Sequence, residues 1–363
     1  MTNRPSRHSS GDEATDTKLV ELLDHLDVEH NRDQLFDILA TVAKMARHDL
    51  VRLDLKITNT AVAEMLEAFR IFEPYAKAPK VTMFGSARTA PTDPLYEQAK
   101  ECARGLSEQG WMVVTGAGPG IMAAGMEGAG RDMSMGINIR LPFEQSANEF
   151  INADPKLVTM KYFFTRKLML IKESDGFVVM PGGYGTLDEV FELLTLVQTG
   201  KAEPTPIVLL DVPGSTYWSR WRSFIEEEVE SRGLISRGDQ VLFKITDNVQ
   251  EATDEILDFY RNYHSRRFVG DRLVIRLRHN PSDADLEHLS AEFGDICKTG
   301  GIERAEPARS EIETDDELDK YRIALRFDRM KHARMRELIN ALNALETAPD
   351  EQQPPRHYQE PAT

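Results

Sequence analysis

Two cysteines in 363 residues, Cys102 and Cys297, are too few and too far apart for a disulfide framework or a zinc site. No apolar run approaches the ~20 residues that cross a bilayer. The opening stretch, MTNRPSRHSSGDEATD, holds no apolar segment that would serve as a signal peptide. A cytoplasmic protein without a membrane partner is expected. The nine histidines show no metal spacing such as HExxH, and no GxSxG elbow occurs. No metal site is therefore expected. Positive charge is also short: Lys+Arg 44 against Asp+Glu 60 leaves a net charge of −16. That balance repels phosphate backbones and disfavours nucleic-acid binding. An anionic ligand must then be held by local arginines and helix N-termini. What is present, 41% hydrophobic and 29% charged residues, suits a globular protein of two or three domains.

Residues 1–15 are polar and read as a disordered tail. Residues 16–75 show helical stripes: Leu19, Leu22, Leu23 and Leu26; then Leu35, Ile38, Leu39, Val42 and Met45; then Val62, Met65, Leu66 and Phe69, with Thr58-Asn59 as a candidate cap. This helical extension reads either as a packing or dimerisation element or as a lid. Residues 76–265 alternate apolar strands with helices through short glycine-rich connections. That pattern predicts an α/β fold, a doubly wound, Rossmann-like parallel sheet with ligands at the carboxyl ends of its strands. Residues 158–172 are read here as one helix. Residues 266–346 suggest a small α+β module of order βαββα, ferredoxin-like or ACT-like. There Arg272, Arg276 and Arg278 share one side of a strand, as do Arg322 and Arg326. Such a stripe is either a solvated or acid-paired face or an anionic effector site. Residues 347–363 read as a second disordered tail.

The chain is organised around residues 174–198, SDGFVVMPGGYGTLDEVFELLTLVQ. Phe177 to Met180 is a buried-strand run, and a glycine-rich turn follows. From Thr186 on, Leu187, Val190, Phe191, Leu194 and Val197 fall on one helical face. Strand, glycine turn, helix is a phosphate cradle, because glycine lets the backbone approach an anion and the first helical N–H groups point at it. Two further glycine loops, Gly85-Ser86-Ala87 and residues 116–120, are expected at the same sheet edge. The simplest ligand is a nucleotide. Gly118-Pro119-Gly120-Ile121-Met122-Ala123 fits the dinucleotide pattern GxGxxA, but the next strand ends near Arg140-Leu141 with no acid for a ribose hydroxyl, which disfavours a nicotinamide cofactor.

PGGYGTLDE resembles the PGGxGTxxE signature of the LOG family, nucleoside 5′-monophosphate phosphoribohydrolases often labelled lysine decarboxylases. Upstream, FFTRK is similar to the family's Arg-Lys pair and supplies Arg166 and Lys167, with Glu189 lying 23 residues beyond Arg166. The resemblance covers about the central half of the chain and implies that Arg166 and Glu189 are the catalytic pair. It also implies an even-numbered homo-oligomer. Phosphate or nucleotide contacts are expected from Gly85, Ser86, Gly116, Gly118, Gly120, Arg166, Lys167, Gly182, Gly183, Tyr184, Gly185 and Thr186, with no cofactor. The implied reaction cleaves the N-glycosidic bond of a purine nucleoside 5′-monophosphate (AMP, GMP or N6-prenylated AMP). Glu189 would stabilise an oxocarbenium-like ribose, and Arg166 would orient the nucleotide and keep Glu189 ionised. Asp175 is a candidate for orienting the loop, and Met160, Tyr162 and Phe163 for lining a base pocket. The fold and glycine loop are also similar to molybdenum-cofactor carrier proteins, so a non-catalytic nucleotide or pterin carrier stays open beside the hydrolase.

Overall fold

The computed structural model describes residues 9–140 and 147–349. They divide into two compact units, Met1–Ala63 and Glu64–Thr363. In the first, α1 (Glu13–His25) and α2 (Arg32–Met45) bury Leu23, Phe36 and Ala40 against each other. The carboxylate of Asp12 accepts the Thr15 N–H and caps α1, so order begins before residue 16, where the polar composition suggested a tail. α3 (Arg52–Phe72) is one 21-residue helix that crosses the division between the units. Thr58 does not cap it. Its hydroxyl instead donates to the Asp54 carbonyl one turn back, which a mid-helix threonine can do without breaking the helix.

The second unit holds a seven-stranded parallel sheet: β1 (Lys80–Phe84), β2 (Met112–Thr115), β3 (Ser134–Ile139), β4 (Leu157–Met160), β5 (Gly176–Val179), β6 (Ile207–Leu210) and β7 (Lys244–Thr246). Its order is β4-β3-β2-β1-β5-β6-β7. Successive residues of each strand alternate between two apolar layers. Val178 packs with Val81, Met83, Val113 and Val208 in one, while Phe177 and Val179 join Phe84, Val114, Ile137 and Leu209 in the other. The first layer is covered by α4 (Pro94–Glu108), α5 (Ile121–Ala129) and α9 (Val249–Asp258). The second is covered by the end of α3, α6 (Phe163–Lys172), α7 (Tyr184–Gln198) and α8 (Tyr217–Phe224). β4 is a strand that the helical reading of residues 158–172 missed. Its alternating burial and β-branched Val158 and Thr159 suit a sheet edge, and the helix starts only at Phe163.

The chain leaves β1 in one direction through β2, β3 and β4, and in the other through β5, β6 and β7. The strand order therefore reverses between β1 and β5, and a crevice opens at their carboxyl ends, beyond Phe84 and Val179.

An antiparallel sheet follows, with β8 (Tyr263–Val269), β9 (Arg272–Leu277), β10 (Glu303–Arg304) and β11 (Tyr321–Leu325) in the order β10-β11-β9-β8. α10 (Asp283–Glu292) and α12 (His332–Asn343) cover the face carrying Leu273, Ile275, Leu277, Ile323 and Leu325. The module has one strand more than βαββα: β8, in the stretch read as the end of the core, pairs with β9 as a hairpin. The opposite face carries the arginines, but it is not a bare cationic stripe. Arg276 and Arg322 face each other across β9 and β11, and both donate to Glu311 of α11 (Arg309–Thr314). Arg267 and Arg276 also donate to Asp316. Of the readings of the stripe, pairing with the chain's own acids is the one these contacts bear out for Arg276 and Arg322.

Candidate active site

Three glycine loops meet at the crevice. The Ser86 N–H donates to the Pro181 carbonyl (3.2 Å), and the Ile121 N–H donates to the Ser86 carbonyl (3.0 Å). Gly120 has φ +68°, and a Cβ there would lie 2.3 Å from the Ser86 oxygen, so only glycine permits this closeness. Gly85 abuts Ile121, and Gly118 abuts Met122, just as tightly. At Gly182 a Cβ would meet the Thr186 hydroxyl at 2.1 Å.

Gly183 caps α7, which starts at Tyr184, two residues earlier than the apolar stripe suggested. The first bond of the helix runs from the Leu187 N–H to the Gly183 carbonyl (3.1 Å). The amides of Tyr184, Gly185 and Thr186 precede it and point toward the crevice end, with the positive end of the helix dipole. Thr186 is buried, whereas the Tyr184 ring is 95% exposed.

Arg166 and Glu189 come from the helices on either side of β5. The Arg166 Nε donates to the Ile137 carbonyl at the end of β3 (2.9 Å), and its Nη1 stands 3.5 Å from the Glu189 Oε1. The guanidinium lies flat against Gly116, where a Cβ would be 1.9 Å from Nη2. Both side chains are largely buried. Burial pushes the Glu189 carboxyl up to about 7, although Arg166 and Lys167 pull it down. Arg166 was expected to keep this acid ionised. Its pull is real, but loss of solvent outweighs it.

Lys167 is not aimed at the crevice. Its ammonium bridges Asp188 (2.5 Å) and Glu192 (2.7 Å) on the flank of α7 and braces the two helices together. Asp175 stands at the opposite end of β5, where it accepts the Lys80 N–H (2.9 Å), so it braces strand starts and not the loop. Met160 is fully buried in the second apolar layer, while Phe163 is 54% exposed.

Two supporting residues carry no local signature. The Tyr217 hydroxyl, at the start of α8, donates to the Gly182 carbonyl (2.6 Å) and so pins the phosphate-cradle turn. The Asn148 amide donates to the Gly118 carbonyl (3.0 Å) and its backbone N–H to the Ala117 carbonyl (2.9 Å), which fixes the second loop. Ala117 sits at φ +57°, an uncommon conformation for a residue with a side chain. Among the described residues no group of His, Cys, Asp and Glu is placed to hold a metal ion, and no helix is long and apolar enough to cross a membrane.

Residues 119–256 match a family model described as possible lysine decarboxylase. Among curated relatives, the chain is 38% identical over 101 residues to the probable cytokinin riboside 5′-monophosphate phosphoribohydrolase LOGL3 of Oryza sativa subsp. japonica, covering 28% of this chain and 46% of that one. It is 36% identical over 94 residues to the cytokinin riboside 5′-monophosphate phosphoribohydrolase LOG1 of Arabidopsis thaliana, covering 26% and 42%. The matched region spans less than half of these relatives' length. Among solved structures, a molybdenum cofactor carrier protein from Chlamydomonas reinhardtii aligns at 22% identity and TM-score 0.35, over 49% of this chain and 94% of that one; at that level the likeness bears on no function. Residues 119–256, which hold the signature around Glu189 and the Arg-Lys pair before β5, are thus similar to the LOG family.

Proposed function

We propose that this protein hydrolyses the N-glycosidic bond of a purine nucleoside 5′-monophosphate, N6-modified or not, to free base and ribose 5-phosphate. The observation that carries the proposal is the pairing of a buried carboxylate, Glu189, with Arg166 beside a glycine-capped helix N-terminus. The 5′-phosphate sits on the amides of Tyr184, Gly185 and Thr186, joined by the Thr186 hydroxyl. Gly85, Ser86, Gly116, Gly118 and Gly120 line the adjoining loops and contact the nucleotide. Arg166 orients it. As the C1′–N bond breaks, its electron pair leaves with the base, which takes a proton from solvent on a ring nitrogen, while the proton that Glu189 gains from the attacking water returns to solvent. Glu189 stabilises the positive ribose and takes a proton from the water that adds to C1′. The names of the plant relatives support a substrate with a modified N6. The exposed rim of Phe163, Phe164 and Leu168 supports assembly into an even-numbered homo-oligomer, which sedimentation would register as twice the chain mass or a multiple of it.

Incubation with AMP, GMP, CMP and isopentenyl-AMP, followed by chromatography of the released base, tests the reaction. Base from at least one purine nucleotide is expected. Nucleotide that binds without any base appearing would leave a non-catalytic carrier. Arg166→Ala should lower kcat/KM by about a hundredfold or more, since it removes a charged contact and leaves the Ile137 carbonyl and Glu189 without their donor. A loss under threefold would remove Arg166 from the machinery. Tyr217→Phe should raise KM several-fold with kcat little changed, because about 1 kcal/mol of order in the phosphate turn is lost. An unchanged KM would show that the turn holds its shape unaided.

A further inference from the structure

α6 carries Arg166, yet its own sequence does not cap it: the N-cap residue is Tyr162, and no side chain within the helix accepts its first N–H groups. The contact that fixes its start comes from elsewhere, and it reaches the residue before the N-cap and a first-turn hydroxyl instead of the helix N–H groups. Glu64, on the part of α3 that belongs to the core unit, reaches the start of α6 with both carboxylate oxygens. The Lys161 N–H donates to its Oε1 (2.5 Å), and the Thr165 hydroxyl donates to its Oε2 (2.7 Å). The same hydroxyl lies 2.9 Å from the Tyr162 carbonyl, so its single proton is divided between two acceptors. Thr165 is fully buried and directly precedes Arg166. Around this contact Met65, Ala68 and Phe72 pack into the layer that also holds Met169 and Leu170 of α6, and the Lys172 ammonium lies over the Phe69 ring (5.3 Å). A carboxylate at a helix N-terminus is favoured by the helix dipole as well as by its hydrogen bonds.

We infer that Glu64 is a positioning residue: it ties Lys161, just before α6, and the Thr165 hydroxyl in its first turn to α3 and thereby sets where Arg166 stands relative to Glu189. The inference rests on the phosphoribohydrolase reading above. It also assigns to α3 a role at the site that is neither a lid nor plain packing. Arg166 has its own anchor at the Ile137 carbonyl, so loss of this tie shifts the guanidinium without releasing it. The effect belongs mainly to the step that needs Arg166 and Glu189 in register, and less to nucleotide capture.

The test uses the full chain with Glu64→Ala, Glu64→Gln and, as control, Glu67→Ala, whose carboxylate among the described residues pairs with the exposed Arg70 one turn away. Base release from the best nucleotide gives kcat and KM. Hydrogen exchange of the amides in residues 161–167 reports on this tie independently of activity. Glu64→Ala should lower kcat by about tenfold with a smaller change in KM, and speed exchange at the start of α6 but not across the sheet. Glu64→Gln keeps an acceptor for the Lys161 N–H and should recover to within about threefold of wild type, while Glu67→Ala changes neither readout. Unchanged exchange at α6, faster exchange with kcat intact, or loosening of the whole core would each overturn the inference. If the wild-type protein releases no base at all, the functional reading falls on its own. The exchange data then decide whether Glu64 holds the start of α6.

Discussion

Glu189→Gln is expected to stop base release, by about a thousandfold or more, and at the same time to make the fold more stable above neutral pH. Both effects follow from one fact. Burial raises the carboxyl from its ordinary 4.5 to about 7, so the folded protein favours the protonated acid. Between those two values the folded state binds a proton that the unfolded chain has already lost. Stability contributed by this group is therefore full below about 4.5 and declines as pH rises through about 7. Glutamine imitates the protonated form and never ionises. The variant's advantage over wild type should be small at pH 5 and larger at pH 8 in urea denaturation. An advantage independent of pH would mean that Glu189 is not held in a dehydrated site. The same carboxyl predicts an acidic limb in kcat that levels off above about 7, because the reaction needs the ionised form; a flat profile from pH 5 to 8 would contradict that role. Asp175 is also raised to about 7 by burial, but it is identical in both proteins and cancels in the comparison.

The second large effect lies far from the crevice. Glu311→Ala should cost about 3–5 kcal/mol of stability, read from the shift in urea midpoint at constant slope. Glu311 and Arg276 have no solvent exposure, and the guanidiniums of Arg276 and Arg322 both donate to the same carboxylate, with Arg267 at 3.7 Å. Burial alone would raise this acid, yet the Ala308 N–H and Arg276 hold it below the usual range, so it is ionised in the fold. Removing it leaves three cations crowded around a dry space, with the Asp316 carboxylate still paired to Arg267 and Arg276 and Arg322 donating to the Asp316 backbone carbonyl. A change below about 1 kcal/mol would show that water or Asp316 replaces Glu311 at little cost.

The parts of this molecule that could be read from its sequence are those written within one stretch of chain. PGGYGTLDE spells strand end, turn and helix start in order, and the apolar runs of β1, β5 and β6 are unmistakable because parallel strands are buried on both faces. What escaped reading depends on partners distant in sequence. Glu64 meets Thr165 from 101 positions away, and the Tyr217 hydroxyl meets Gly182 from 35. Neither a lone glutamate on an amphipathic helix nor a lone tyrosine signals such a contact. Lys167 shows the converse: adjacency to Arg166 in the chain suggested a shared task, but residues one apart on a helix point in different directions, and Lys167 faces α7. The arginines of β9 and β11 were visible as a stripe, whereas the acids that answer them lie on a helix whose path over the sheet no periodicity reveals.

The seat of Arg166 against Gly116 has a consequence for how this site can change over generations. Gly116 is not among the residues with positive φ, so its backbone alone would accept any side chain. The objection comes chiefly from the guanidinium, 1.9 Å from where a methyl group would sit, with the sulfur of the flexible Met122 at 2.8 Å beside it. The two positions are therefore heritable as a pair. A lineage that gives up the arginine leaves the flexible Met122 side chain to yield before its neighbour can drift, and one that gains a side chain at the glycine has already displaced the arginine.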